Sequence, residues 1–416
     1  MTAVIDYNVK YPPMTLVQQR LESAELQDIE GEVHRQIRSL KIDDRLRDNR
    51  RIAITAGSRG ICNAARIIRA LSDYIKKCGG RPFIVPAMGS HGGAIAEGQA
   101  ELLSHYGITE EAMGCPVCAS MDVVLLGTTE HGLPVFFDRL AYEADGVIVC
   151  NRVKPHTDFA APNESGLVKM LSIGLGKQKG AEALHRNGLA ESIPAAAKMI
   201  LEKAPIVAGL AIVENSLDRT YCIKAVRPER FIEEDARLLC LAREMVPKLP
   251  MEELDVLIVK EIGKEYSGTG MDTKVIGRIR VPGVPEPEFP RIQTIVVLRL
   301  SANSHGNASG IGLADITTQS LVDTLDRETM YVNILTTTYL ERGKIPVYFP
   351  TERDAMAYAL AISSHAETEK ARIAIVENTL HLDRLLISPT ALASCQNLQI
   401  LKRNVEVSFD ESGRLL

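Results

Sequence analysis

No stretch of the sequence approaches the roughly 18 uncharged apolar residues that a membrane-spanning helix needs, so no membrane span is expected. A basic block is also missing. Lysine and arginine number 48 against 53 acidic residues, a net charge of −5, which makes nucleic acid an unsuitable partner. The opening residues, MTAVIDYNVKYPP, have neither a basic start nor an apolar core; no signal peptide is expected, and the location read from this is cytoplasmic. Eight cysteines are scattered, and only Cys115-Pro-Val-Cys118 has ligand-like spacing. Without a second pair or neighbouring histidines, these two read as ordinary reduced thiols rather than a zinc site. There is no internal repeat and no low-complexity tract.

What is present is enough for two or three domains: 416 residues, 45% of them hydrophobic. Arg51–Thr55 reads as a strand running into Ala56-Gly-Ser-Arg-Gly60, followed by a helix over 63–77 that Cys78-Gly-Gly80 stops. Pro82–Pro86 is a second strand, opening into Ala87-Met-Gly-Ser-His-Gly-Gly93 and a helix to about His105. Strand, polar loop, helix, repeated, predicts an α/β fold with a mostly parallel or mixed sheet. Two short β segments around His131-Gly132 predict a hairpin, and Gly146–Cys150 reads as a buried strand. Helical spacing over 183–203 is broken near Asn187-Gly188, and strands over 205–213 and 221–225 precede an amphipathic helix over 231–245.

The pattern is punctuated at Pro247-Lys-Leu-Pro250, which predicts an N-terminal domain over 1–249 and a C-terminal one over 250–416, with the last strand a candidate to return to the first domain. In the second domain, strands at 256–259 and 294–300 each run into a glycine-rich polar loop, Glu261–Asp272 and Ser301–Asp315. Later strands are expected at 347–349, 373–376, 385–387 and 405–409. Two α/β domains with polar loops at their strand ends predict a ligand cleft between them.

The stretch richest in chemistry follows the strand Gly146–Cys150: NRVKPHTDFAAPNESGLVKMLSIGLGKQKGAEALH, residues 151–185. Of nine histidines, four lie in or beside these loops: His91, His156, His185 and His305. A histidine pair can exchange protons near neutral pH, and an imidazole can ligate a transition metal, although a lone histidine is more often structural. Arg59 offers a planar fork suited to carboxylate or phosphate. Lys169, in the apolar run Leu167–Leu171, must snorkel, pair, or become nucleophilic at lowered pKa. Lys177 and Lys179, beside Gly176 and Gly180, read as solvated. Gly174-x-Gly176 matches neither a Rossmann nor a P-loop fingerprint, and Gly89-Ser-His-Gly-Gly93 lacks the order of a hydrolase elbow.

Ser165-Gly-Leu-Val-Lys169, with His185 sixteen positions on and His156 and His91 upstream, resembles the nickel-dependent lactate racemase family. That resemblance implies two α/β domains and a nickel-pincer nucleotide, a pyridinium-3,5-bisthiocarboxylic acid mononucleotide holding nickel. It implies a racemase or epimerase, an isomerase inverting C2 of a 2-hydroxy acid through hydride transfer to and from that cofactor. Lys169 would carry the cofactor as a thioamide, with Ser165 and Gly166 beside it. His185 would ligate nickel, and His91 and His156 would be the acid/base pair. Ser58-Arg59 would bind substrate carboxylate or cofactor phosphate. The implied partners are the substrate and the enzymes that build the cofactor; a second copy of the chain is a candidate partner.

The sequence departs from the family at three places. Ala56 stands where the family has an acidic residue, the segment Ala161-Pro-Asn-Glu164 is inserted between His156 and Lys169, and the second domain lacks a clear Tyr-Gln and lysine match. These changes point to a different 2-hydroxy acid, with Lys264, Asp272, His305 and Asp315 as candidates for selecting it. The competing readings are a cofactor-free relative, working as a metal-binding hydrolase or lyase, and a sugar-acid-binding protein.

Overall fold

A computed structural model describes residues 9–416 apart from 59 and 364–366, and apart from the side chain of 336. The chain divides into two compact units, one formed by Glu22–Val246, the other by the described residues up to Leu21 together with Pro247–Leu416. The first strand, β1 (Met14–Gln19), therefore belongs with the C-terminal unit. The reason is its pairing, described below.

The unit Glu22–Val246 is built on a five-stranded sheet. Its strands are β2 (Arg51–Ala56), β3 (Arg81–Pro86), β6 (Gly146–Arg152), β7 (Ile206–Glu214) and β8 (Thr220–Val226), in the order β3-β2-β6-β7-β8. Only the β7–β8 pairing is antiparallel. Between β3 and β6 lies the hairpin of β4 (Val123–Thr128) and β5 (Pro134–Asp138), closing at Gly132 as its sequence predicts. Side chains alternate along a strand, and both faces of a parallel sheet are covered, so the strands are apolar throughout. Ile52, Ile54 and Ile148 face one side, against Ile29, Val33, Ile67, Leu71 and Ile75 from the helices Ile29–Ser39 and Ala64–Lys77. Ala53, Val147 and Val149 face the other, against Leu167, Leu184, Ile193, Ile200, Phe231 and Leu238. The expected break at Asn187-Gly188 separates helix Lys177–Arg186 from helix Leu189–Lys203.

The other unit holds an eight-stranded mixed sheet. Its remaining strands are β9 (Glu253–Ile262), β10 (Arg291–Leu300), β11 (Ile316–Thr318), β12 (Val347–Phe349), β13 (Ile373–Val376), β14 (Arg384–Ile387) and β15 (Leu398–Val405). The order is β12-β11-β10-β9-β13-β14-β1-β15. The first five are parallel, and the last three pair antiparallel, with β1 held between β14 and β15. The first strand was expected at Arg51–Thr55 and the last at 405–409. Instead β15 ends at Val405, and residue 409 contributes an isolated bridge to Leu415. Among the described residues no helix is long and apolar enough to cross a membrane.

Candidate functional site

Parallel strands bring their carboxyl ends to one edge of a sheet, and the loops leaving β2, β3 and β6 carry most of the predicted residues of the unit Glu22–Val246. Ser58 follows β2, and its carbonyl accepts from the Tyr106 hydroxyl at 3.0 Å. Arg59 lies outside the described residues.

His91 sits in the loop after β3, with its side chain exposed. Its Nδ1 donates to the Met88 carbonyl at 2.8 Å. A carbonyl only accepts, so the proton of neutral His91 is on Nδ1, and Nε2 carries the lone pair. The loop doubles back tightly. Gly92 has φ +66°, and a Cβ there would come within 2.7 Å of the Gly98 and Gln99 backbone, which glycine alone avoids.

His156 follows β6 and has the opposite arrangement. Its Nδ1 accepts from the Asp158 N–H at 3.1 Å, so the proton of the neutral ring is on Nε2. The Asp158 carboxylate lies 3.9 Å from the same Nδ1, placed to stabilise the ring once it is doubly protonated. Phe159 stacks on the imidazole at 4.6 Å. The loop is closed by paired Lys154 and Ser165 backbone bonds and organised by Glu164, which is almost fully buried. Glu164 accepts from the His156 N–H at 2.5 Å, the Ala161 N–H at 3.1 Å and Arg243 at 2.6 Å. The inserted Ala161–Glu164 segment is thus the brace of the His156 loop, a role its sequence did not announce.

Lys169 closes the helical turn Leu167–Lys169, which runs on into a π-helical turn over Met170–Gly174. Buried Asp235 accepts from the Leu167 and Val168 N–H groups at 2.8 and 3.4 Å, the capping arrangement that satisfies unpaired amides. Gly166 is required for this approach, since a Cβ there would meet Asp235 Oδ1 at 2.1 Å. Burial pushes the Asp235 carboxyl up to about 6, against the lowering effect of those bonds. His185 lies on the following helix, Lys177–Arg186. Burial lowers its pKa, and the Lys169 charge lowers it further, while Asp158 opposes both. The charges of Lys169 and Asp158 therefore both reach the His185 ring.

A neutral half-buried imidazole is a competent metal ligand. Among the described residues no group of three or more His, Cys, Asp or Glu could hold a metal ion by itself. A nickel ion here would draw on one imidazole and on donors supplied by a cofactor, and an amine beside that imidazole suits a covalent carrier. The donor set fits the group the resemblance implies.

One reading from the sequence is corrected. Lys177 is not solvated: it is fully buried, 3.1 Å from the equally buried Asp138. The contact is an ion pair rather than an aligned hydrogen bond, because Asp138 Oδ2 finds no donor in good geometry among the described residues. Nothing near Lys177 in sequence signals this, since Asp138 closes a hairpin strand 39 positions earlier.

The candidates in the other unit are split. Lys264 and His305 follow the carboxyl ends of β9 and β10, and Asp272 caps the turn Thr273–Ile276 in the loop that contains Lys264. Asp315 lies at the amino end of β11, level with Ile295 on β10, roughly 16 Å of strand from the Leu300 end. There it pairs with Arg278 at 2.6 Å and accepts from the Ile295 N–H at 2.8 Å.

The fold and these loops define an α/β protein with a polar, histidine-bearing strand edge in the unit Glu22–Val246. Residues 10–196 match the model of the lactate racemase N-terminal domain. That stretch, a little under half of the chain, is thus similar to the domain. The fold is similar to that of the lactate racemase apoprotein from Thermoanaerobacterium thermosaccharolyticum, with TM-score 0.51 at 14% identity over 88% of this chain and 98% of that one. No curated protein matches the chain significantly.

Proposed function

We propose that the protein is a racemase or epimerase inverting C2 of a 2-hydroxy acid, with a nickel-pincer nucleotide linked to Lys169 and ligated by His185. The observation that carries this is the family match over 10–196, which contains His91, His156, Lys169 and His185. The coupling of His185 to Lys169 and Asp158 supports it.

When bound, the cofactor supplies the acceptor and donor of hydride. The chain's residues do the rest. His185 stays neutral near physiological pH and offers a ring nitrogen to the metal. His91, protonated at Nδ1, presents Nε2 as the base that accepts the substrate hydroxyl proton. His156, protonated at Nε2, presents a donor, and Asp158 is placed to stabilise its charged form. One base and one acid of opposite tautomer suit a reaction that must run in both directions. Lys264, Asp272 and His305 are the candidates for substrate selection, because they stand in the strand-end loops of their unit. Asp315, held by Arg278, has the weakest claim. The altered loop Gly263–Asp272 favours an acid other than lactate, such as a sugar acid.

The test is the intact mass and nickel content of protein co-expressed with the cofactor-building enzymes. A mononucleotide-sized mass increase with stoichiometric nickel, both lost in Lys169→Ala, is expected. An unmodified mass without nickel would sink the proposal and favour the cofactor-free relative, to be separated from a pure binding protein by whether solvent deuterium enters C2 of bound 2-hydroxy acids.

A further inference from the structure

Lys177 has no part in the reaction proposed above, yet it is among the largest fully buried side chains in the protein. It opens helix Lys177–Arg186 with φ +54°, a left-handed conformation that a lysine adopts at a cost. Replacing a buried ion pair by apolar residues is often neutral or stabilising, so a buried pair such as Lys177–Asp138 calls for a role beyond stability.

The other bonds of Lys177 supply that role. Its Nζ donates to the Pro86 carbonyl, the last residue of β3, and lies 3.4 Å from Gln99 Oε1. An ammonium can only donate, so Gln99 must turn its oxygen toward it. The amide nitrogen of Gln99 is thereby aimed at two carbonyls of the loop after β3, Gly89 at 3.0 Å and His91 at 3.1 Å. With the amide reversed, a nitrogen would face the cation and an oxygen would face both carbonyls. The ion pair thus sets the amide, and the amide straps the loop on both sides of Ser90. Gln99 is itself fully buried, which strengthens each bond and raises the cost of losing it.

We infer that Lys177, anchored by Asp138, is a positioning residue that acts through Gln99 to hold the His91 loop and the Nδ1–H···O bond to Met88. The consequence for catalysis rests on the reading of His91 as a proton-transfer group; the structural claim does not.

Two variants separate the strap from the ion pair. Gln99→Leu removes the strap and leaves the pair. Lys177→Met with Asp138→Asn removes the pair without stranding a buried charge. The readout is the ring ¹⁵N pattern of histidine-labelled protein, with His91 assigned through His91→Gln and folding checked by circular dichroism. The wild type is expected to show His91 in its Nδ1–H form. Each folded variant is expected to show an averaged, two-tautomer pattern at His91, while His156 keeps its Nε2–H form. An unchanged His91 pattern in either folded variant overturns the inference, and Gln99→Leu decides it alone should the double variant not fold. In cofactor-loaded enzyme, kcat should fall on the order of 10- to 100-fold with KM little changed. Failure to load nickel would refute the proposed function and leave the ring measurement standing.

Discussion

His91 and His156 hold their protons on opposite ring nitrogens because one Nδ1 faces a carbonyl and the other a backbone N–H. His91→Gln and His156→Gln should each retain the Lys169 adduct and the nickel, yet lose deuterium exchange at C2 by about 10²–10⁴-fold. Retained exchange in either variant would remove that histidine from the acid/base pair. His185→Ala should show the complementary result, keeping the adduct mass while losing nickel, as read by metal analysis of the same samples. That these histidines stand in or beside loops at strand ends was legible in the sequence, because histidines in glycine-spaced segments after buried strands are few. Lys177 was not legible: its immediate neighbours are glycine and polar, and burial is decided by Asp138, Pro86 and Gln99, all distant in sequence.

Among the elements, the turn that presents Lys169 depends on Asp235. Its folded-state pKa of about 6 lies above the usual aspartate value of about 3.9, so between these values the folded state binds more protons than the unfolded one. The carboxyl's contribution to stability is therefore complete below about pH 4 and is lost as pH rises through about 6. The difference from the usual aspartate value corresponds to about 3 kcal/mol. Asp235→Asn should flatten that part of the stability profile, measured as urea midpoints between pH 4 and 7. A midpoint that falls equally in the variant would assign the pH dependence to other groups. Elements with strong apolar periodicity were legible: β2, β3, β6 and the helices Ala64–Lys77 and Phe231–Met245 all stand where the pattern put them. β1 and β15 escaped notice for a physical reason. β15 carries Lys402, Arg403 and Asn404 and is exposed along most of its length, so no buried face marks it in the sequence.

For the whole molecule, the unit Glu22–Val246 is an excursion between β1 and the remaining strands of its own sheet. β1 pairs on both edges, with β14 and with β15, and its Met14 and Val17 are fully buried. Removing residues 1–21 should therefore loosen the strand pair Arg384–Val405 and leave the unit Glu22–Val246 folded. Limited proteolysis is the check: cutting should appear between 377 and 405 in the truncated protein, and equal resistance of both forms would show that β1 is dispensable. The split between the first twenty-one residues and the domain they precede could not be read from pattern alone, because pairing partners several hundred positions away leave no local trace.

That wide separation sets a schedule for synthesis. The strand Met14–Gln19 leaves the ribosome early, but its first partner begins at Arg384. At about 5–20 residues per second, β1 waits roughly 20–70 s for that partner. During this interval the histidine-bearing unit can fold alone, trailing an unpaired apolar strand. The newborn chain would therefore be open to capture by chaperones, or to pairing with a neighbouring nascent chain, at the strand Met14–Gln19.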